Sequence, residues 1–155
     1  MKPISLIFAV CAIIGVITLP SSLSAQERFT LITPEEAQAS MARPMPLVPR
    51  SVRNPSAPVI EVVSPDIRTP VAAPIPIRLR FKTEAPSEPK IESFKALYGS
   101  FRIDITDRLK KRAVLTKNGL ELNGADIPSG RHQIVLSLED TQGRKSEQTL
   151  SFEVE

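Results

Sequence analysis

The chain from Pro58 to Glu155 predicts an all-β fold, an antiparallel two-sheet sandwich of about seven or eight short strands. Three observations carry the prediction. Apolar residues alternate with polar ones in one short run after another, the period of a strand with one buried face. Turn residues interrupt these runs at short intervals. No stretch has the 3.6-residue apolar spacing of a long amphipathic helix.

Proline and glycine divide the chain in two. Ten of the 15 prolines fall between Pro34 and Pro76, only Pro128 lies beyond Ile91, and five of the six glycines lie between Gly99 and Gly143. Proline breaks regular structure by fixing φ, whereas glycine turns it by admitting positive φ. The shift marks a change of architecture, and the boundary is placed at Pro58.

The amino terminus, MKPISLIFAVCAIIGVITLPSSLSAQE, sets one lysine ahead of an apolar run from Leu6 to Leu19, followed by small residues. Residues 1–25 therefore read as a secretory signal peptide, cleaved after Ser24 or Ala25. The run is shorter than the ~20 residues of a membrane-crossing helix, so no stable span is expected after cleavage. Cys11, the single cysteine, lies inside the run, without the small residues that precede a lipidated cysteine. The processed chain would have no thiol, disulfide or thiolate metal site and would depend on an ordinary core. Losing Lys2 takes the formal charge from +3 down by one to +2, too mild an excess to point to an anionic partner. The expected location is exported, periplasmic or secreted.

Residues 26–57 read as a disordered, proline-rich linker. Pro44, Pro46 and Pro49 are closely spaced, no acidic residue lies between Ala37 and Ile60, and apolar residues are too scattered for a core. At ~3.1 Å per residue in a polyproline conformation, Met41 to Ala57 would reach on the order of 50 Å. Within this tail Thr33 stands as an N-cap, Pro34 at the first helical position and Glu36 three residues after the cap, a capping-box signature. A helix of barely two turns is marginal alone. The expectation is a frayed turn, with a short partner-binding motif as the alternative.

The strands follow in order. VIEVVS, from Val59, is a β-branched run. PIPIRLRFKT puts Ile75, Ile77, Leu79 and Phe81 on one face and Arg78, Arg80 and Lys82 on the other. Pro74 and Pro76 remove backbone donors at its start and place that end at a sheet edge or corner. Phe94, Ala96 and Tyr98 alternate in the next run; Phe101, Ile103 and Ile105 do so after Gly99 and Ser100, and both runs read as strands. Asn118 and Gly119 between two apolar runs signal a tight hairpin. A turn at Pro128 to Gly130 leads into a strand beginning near His132, and Leu150, Phe152 and Val154 alternate with Glu153 and Glu155 in the last strand.

The segments VIEVVSPD, PIRLRF, DITDRL and DIPSGRHQIVLSLEDTQGRKSEQTLSFEVE together resemble the immunoglobulin-like sandwich domains of exported bacterial proteins. The resemblance covers Pro58 to Glu155 and departs from antibody-type domains in lacking the paired cysteines and the core tryptophan. It implies a fold and service as a spacer or adhesion module. It implies no activity, because one fold hosts many functions.

His132, the only histidine, has Ser129 and Asp140 nearby in sequence. It shares the phase of Ile134, Leu136 and Leu138 and so points to the core side of its strand. Asp140 stands eight residues on, ~26 Å along an extended strand, too far to orient a base. His132 is read as a rim residue bonded to backbone or water, and Asp140 as the carboxylate that accepts turn amides in DTQGR, with Gly143 at positive φ. Asp104, Asp107 and Asp126 lack a calcium-loop signature and read as turn-capping. No catalytic, cofactor-binding or metal-binding residue is assigned, no cofactor is expected, and the chain is not read as an enzyme.

Two cationic groups remain: Arg78, Arg80 and Lys82 on one strand, and Lys110, Lys111 and Arg112 after DITDR. Each is first a solvated face. Read functionally, they are the candidate contacts for an anionic partner. Nucleic acid is disfavoured by export and by the absence of tryptophan, with Tyr98 the single tyrosine for stacking. The expected function is an exported, non-enzymatic interaction module that docks onto another envelope protein through sheet edges and loops. The alternative is a binding module for an anionic glycan or cell-wall polymer.

Overall fold

The computed structural model describes residues 29–43 and 54–155. The signal peptide expected over 1–25 and the closely spaced prolines from Pro44 to Pro49 lie outside the described residues. The order of elements is α1 (Pro34–Met41), β1 (Val59–Ser64), β2 (Ile75–Lys82), β3 (Pro89–Tyr98), β4 (Ile103–Asp104), α2 (Thr106–Arg112), β5 (Val114–Thr116), β6 (Gly119–Ala125), β7 (Gly130–Asp140) and β8 (Lys145–Val154). The strands form two four-stranded sheets, ordered β1-β2-β6-β5 and β4-β3-β7-β8, with every pair of neighbours antiparallel.

Alternation builds the core. On β2, Ile75, Ile77, Leu79 and Phe81 are buried while Pro76, Arg78, Arg80 and Lys82 are exposed. The inward rows of the two sheets meet in one cluster, where the rings of Phe81 and Phe94 lie 5.7 Å apart in a tilted pair. Such a pair adds ~0.5–1.5 kcal/mol beyond the area it buries. Pro76 sits in an interior strand rather than at a sheet edge, but it lies beyond the last β1 pairing, at Ser64 and Arg78, beside a register shift between Ile75 and Ile77. Its carbonyl accepts the Ser64 hydroxyl at 3.0 Å, and because the β1 pairing ends at Arg78 the missing N–H costs the ladder no bond.

Residues 29–43 do not behave as the extended linker expected of them. Leu31 and Ile32 are fully buried, and Ala37 and Ser40 face inward from α1. Leu31 donates to the Asp126 carbonyl (3.1 Å) and Asp126 to that of Phe29 (2.9 Å), so the segment adds a parallel bridge beside the end of β6. The capping box is complete, with Thr33 Oγ1 accepting from the Glu36 amide (3.3 Å) and Glu36 Oε2 from the Thr33 amide (3.0 Å). Glu36 also receives both terminal nitrogens of Arg108 at 2.7 Å each. A two-turn helix is marginal alone; here tertiary packing supplies what length does not.

A second departure lies after Gly99. The run expected as a strand through Phe101, Ile103 and Ile105 gives only the two residues of β4 before turning into α2. Asp104 Oδ1 accepts the Thr106 amide at 2.9 Å, starting the turn. Ile105 and Leu109, four residues apart, are both buried, and Lys110, Lys111 and Arg112 occupy the last turn, where cations offset the helix dipole. Phe101 is 48% exposed, with the Arg43 guanidinium 4.7 Å from its ring centre. The hairpin expected at Asn118 and Gly119 closes one residue earlier: Thr116 pairs with Gly119, leaving Lys117 and Asn118 as the loop.

Candidate functional site

Three places were open to chemistry or binding. The first is His132. As its phase predicted, it faces the core, but it is buried rather than at a rim, with 1% of its surface exposed. One ring nitrogen, Nε2, lies 2.7 Å from the Pro128 carbonyl, and Nδ1 lies 2.8 Å from the Tyr98 hydroxyl. A carbonyl only accepts, so Nε2 carries the proton and Nδ1 accepts from Tyr98. The ring lies between those of Tyr98 and Phe152, at 5.9 and 5.7 Å. Burial pushes its pKa below the usual imidazole value of 6.5, against the Pro128 bond, which favours the charged form.

Tyr98 is fully buried beneath α1, where it also meets the Ser40 side chain. Burial and the Glu36 charge push its pKa up to about 12 despite the Ser40 bond. Both partners of the imidazole are thus neutral and both nitrogens are occupied. A general base needs reach to a substrate proton, and this ring is enclosed. The cluster is a satisfied polar core that ties α1 to β3 and β7.

At the other end of β7, Asp140 takes the turn role expected of it. Its Oδ1 accepts the amides of Gln142 and Arg144, both at 2.9 Å, Oδ2 pairs with Arg144 Nε at 2.6 Å, and Gly143 has φ of 75°. Burial opposes its ionisation, but the Arg144 amide and side chain, the Ser87 hydroxyl and the Gln142 amide outweigh it, and the pKa lies below the ordinary value. Among the described residues no group of three or more His, Cys, Asp or Glu side chains could hold a metal ion.

The second place is the cationic row of β2. Arg78, Arg80 and Lys82 all point outward, as predicted. Lys82 pairs with Glu61 at 2.5 Å; Arg78 and Arg80 have no ion pair among the described residues. By register, Arg78 stands opposite Glu121 and Arg80 opposite Glu61, so acids alternate with the cations across the sheet. The second cationic group does not join this row: Lys110, Lys111 and Arg112 belong to α2, and the Arg112 guanidinium lies 5.9 Å from the Phe29 ring centre.

The third place, the outer edge of β8, has its long regular strand in the sequence but not its hydrogen-bond phase. β7 and β8 pair without a register shift from Lys145 to Val154. Val71 donates to the Glu153 carbonyl at 2.9 Å and accepts from the Glu155 amide at 3.1 Å, a parallel bridge on the side away from β7. Because hydrogen-bonding direction alternates along a strand, Lys145, Glu147, Thr149 and Ser151 turn their backbone groups to that same side, away from β7. Only the Thr149 carbonyl has a partner there among the described residues, the Gln148 side-chain amide at 3.2 Å. Side-chain charges flank the edge, with Lys145 3.2 Å and Arg102 3.8 Å from Glu147. Such charges discourage unselective pairing.

Comparison with protein-family models, with curated proteins and with solved structures finds no match to this chain.

Proposed function

We propose that this protein is an exported, non-enzymatic interaction module of the cell envelope, and that it docks onto another envelope protein by strand addition at the open edge of β8. The observation that carries the reading is the run of outward backbone groups at Lys145, Glu147, Thr149 and Ser151, which continues a bridge that Val71 already makes. An extended segment of the partner would take its main-chain bonds from this edge and its selectivity from the charged side chains beside it. The enclosure of the only histidine supports the non-enzymatic part.

An anionic glycan is the weaker reading, because Lys82 is engaged by Glu61 and the remaining cations of β2 stand beside Glu61 and Glu121. The test is a crosslinked pull-down of the full chain from the envelope fraction of the producing cell, washed at rising salt. Main-chain pairing predicts one protein retained through the washes. Polymer alone, released by salt as screening predicts, would refute the proposal. Removing residues 26–56 is not a clean control, since Leu31, Ile32 and α1 are part of the core.

A further inference from the structure

The outward face of the first sheet has a pattern of its own. Ser64, Arg78, Glu121 and Val114 lie side by side on β1, β2, β6 and β5. Val63, bulged out beside Ser64, is 53% exposed and Val114 is 65% exposed, and both line one shallow groove of about 450 Å³. Across the sheet the order is therefore apolar, cation, anion, apolar. In the next row come Glu61, Arg80, Gly119 and Thr116. Gly119 is itself buried, its backbone close against β2, where a Cβ would stand 2.0 Å from the Leu79 carbonyl oxygen, so this place in the row carries no side chain.

We infer that this face binds a second copy of the chain, packed face to face about a two-fold axis that runs along the strands between β2 and β6. Such an axis lies in the interface, reverses the order of strands and keeps position along them. It sets Glu121 of the second copy over Arg78, and Arg78 of the second copy over Glu121. It sets Val114 of the second copy over Val63, and the reverse. Arg80 falls over Gly119 of the second copy, the one position of the row with no side chain to oppose it. The face answers its own charges, whereas a polyanion would meet Glu61 and Glu121. Four strands ~4.8 Å apart make a patch at the small end of specific interfaces, so the association is weak and reversible. The surface is separate from the β8 edge, and the inference does not depend on that docking site.

The test is disulfide trapping in cells that make the full chain with Cys11→Ser. Within one copy, Val63 and Val114 are three strand spacings apart, ~14 Å, beyond the ~7 Å limit for a bridge between Cα atoms. Val63→Cys with Val114→Cys in one chain is expected to give a disulfide-linked dimer, while either substitution alone gives only background. In the double-cysteine chain, Arg78→Glu alone or Glu121→Arg alone is expected to reduce the dimer to background, and the two together to restore it. Restoration also shows that the charge reversals leave the fold intact. The proposal is overturned if the double-cysteine chain gives no dimer, if the single cysteines dimerise equally well, or if the paired reversal fails to restore it. Trapping of a different protein at these positions without a homodimer also overturns it and assigns the face to that partner.

Discussion

The enclosure of His132 makes stability depend on pH in a defined window. Its pKa in the folded chain is held below 6.5 by burial, so as pH falls the unfolded chain takes up the proton first. Stability contributed by the neutral ring is complete above 6.5 and is lost progressively below it, until the pH passes the folded value. One proton changes the free energy of unfolding by at most ~1.4 kcal/mol per pH unit. The other perturbed groups act elsewhere. Glu36, Asp104 and Asp140 have folded values below their ordinary 4.5, 3.8 and 3.8, so their losses come at lower pH, and Tyr98, raised to about 12, acts only in alkali. Urea unfolding at half-unit steps from pH 7 to pH 5 measures the slope. His132→Gln removes the titrating group while its amide can still donate to the Pro128 carbonyl. The wild-type chain should lose stability on acidification, and the variant, whatever its absolute stability, should lose much less. A flat wild-type profile, or equal slopes in both chains, would refute the buried neutral imidazole.

Three further outcomes follow from the same geometry. Gly99→Ala should destabilise by about 2–4 kcal/mol in urea, since φ of 66° costs an alanine ~1–2 kcal/mol and its Cβ would stand 2.3 Å from Ser40 Oγ, forcing α1 to shift. Limited proteolysis should then cut residues 29–43 sooner than in the wild type. Tyr98→Phe should cost ~1–3 kcal/mol by leaving buried His132 Nδ1 without its donor, a loss read as a lower urea midpoint. Asp140→Ala should lower that midpoint more than Asp140→Asn, because the amide keeps an acceptor for the Gln142 and Arg144 N–H groups.

Much of the fold was legible because it rests on period-two alternation. Ile75 to Lys82 and Leu150 to Val154 face as their sequence says, and the Asp140 turn follows from the residue types it contains. What escaped was decided by tertiary contact. Thr33 and Glu36 announced a capping box, but its persistence depends on Arg108, 72 positions away, and on a core slot for Leu31 and Ile32. Ile105 and Leu109 carried a four-residue spacing that the alternation of Phe101, Ile103 and Ile105 masked. The inward phase of both His132 and Tyr98 could be read, but their hydrogen bond could not, because it depends on the register of β3 against β7. The open side of β8 likewise needed the Val71 bridge to fix its phase.

The central claim is that β8 receives a partner strand, and Thr149→Pro tests it most directly. The Thr149 N–H points away from β7, so proline there removes an outward donor and spares the ladder, as an edge position allows. Leu150→Pro, whose N–H is committed to β7, is the contrasting control and should cost ~3 kcal/mol or more. Crosslinked pull-downs from the envelope fraction with the full-length wild-type and Thr149→Pro chains would compare partner capture, with urea unfolding run beside them. The account predicts that Thr149→Pro keeps nearly the wild-type urea midpoint and loses the captured protein. Capture of the same protein in undiminished yield by a folded Thr149→Pro chain would contradict it.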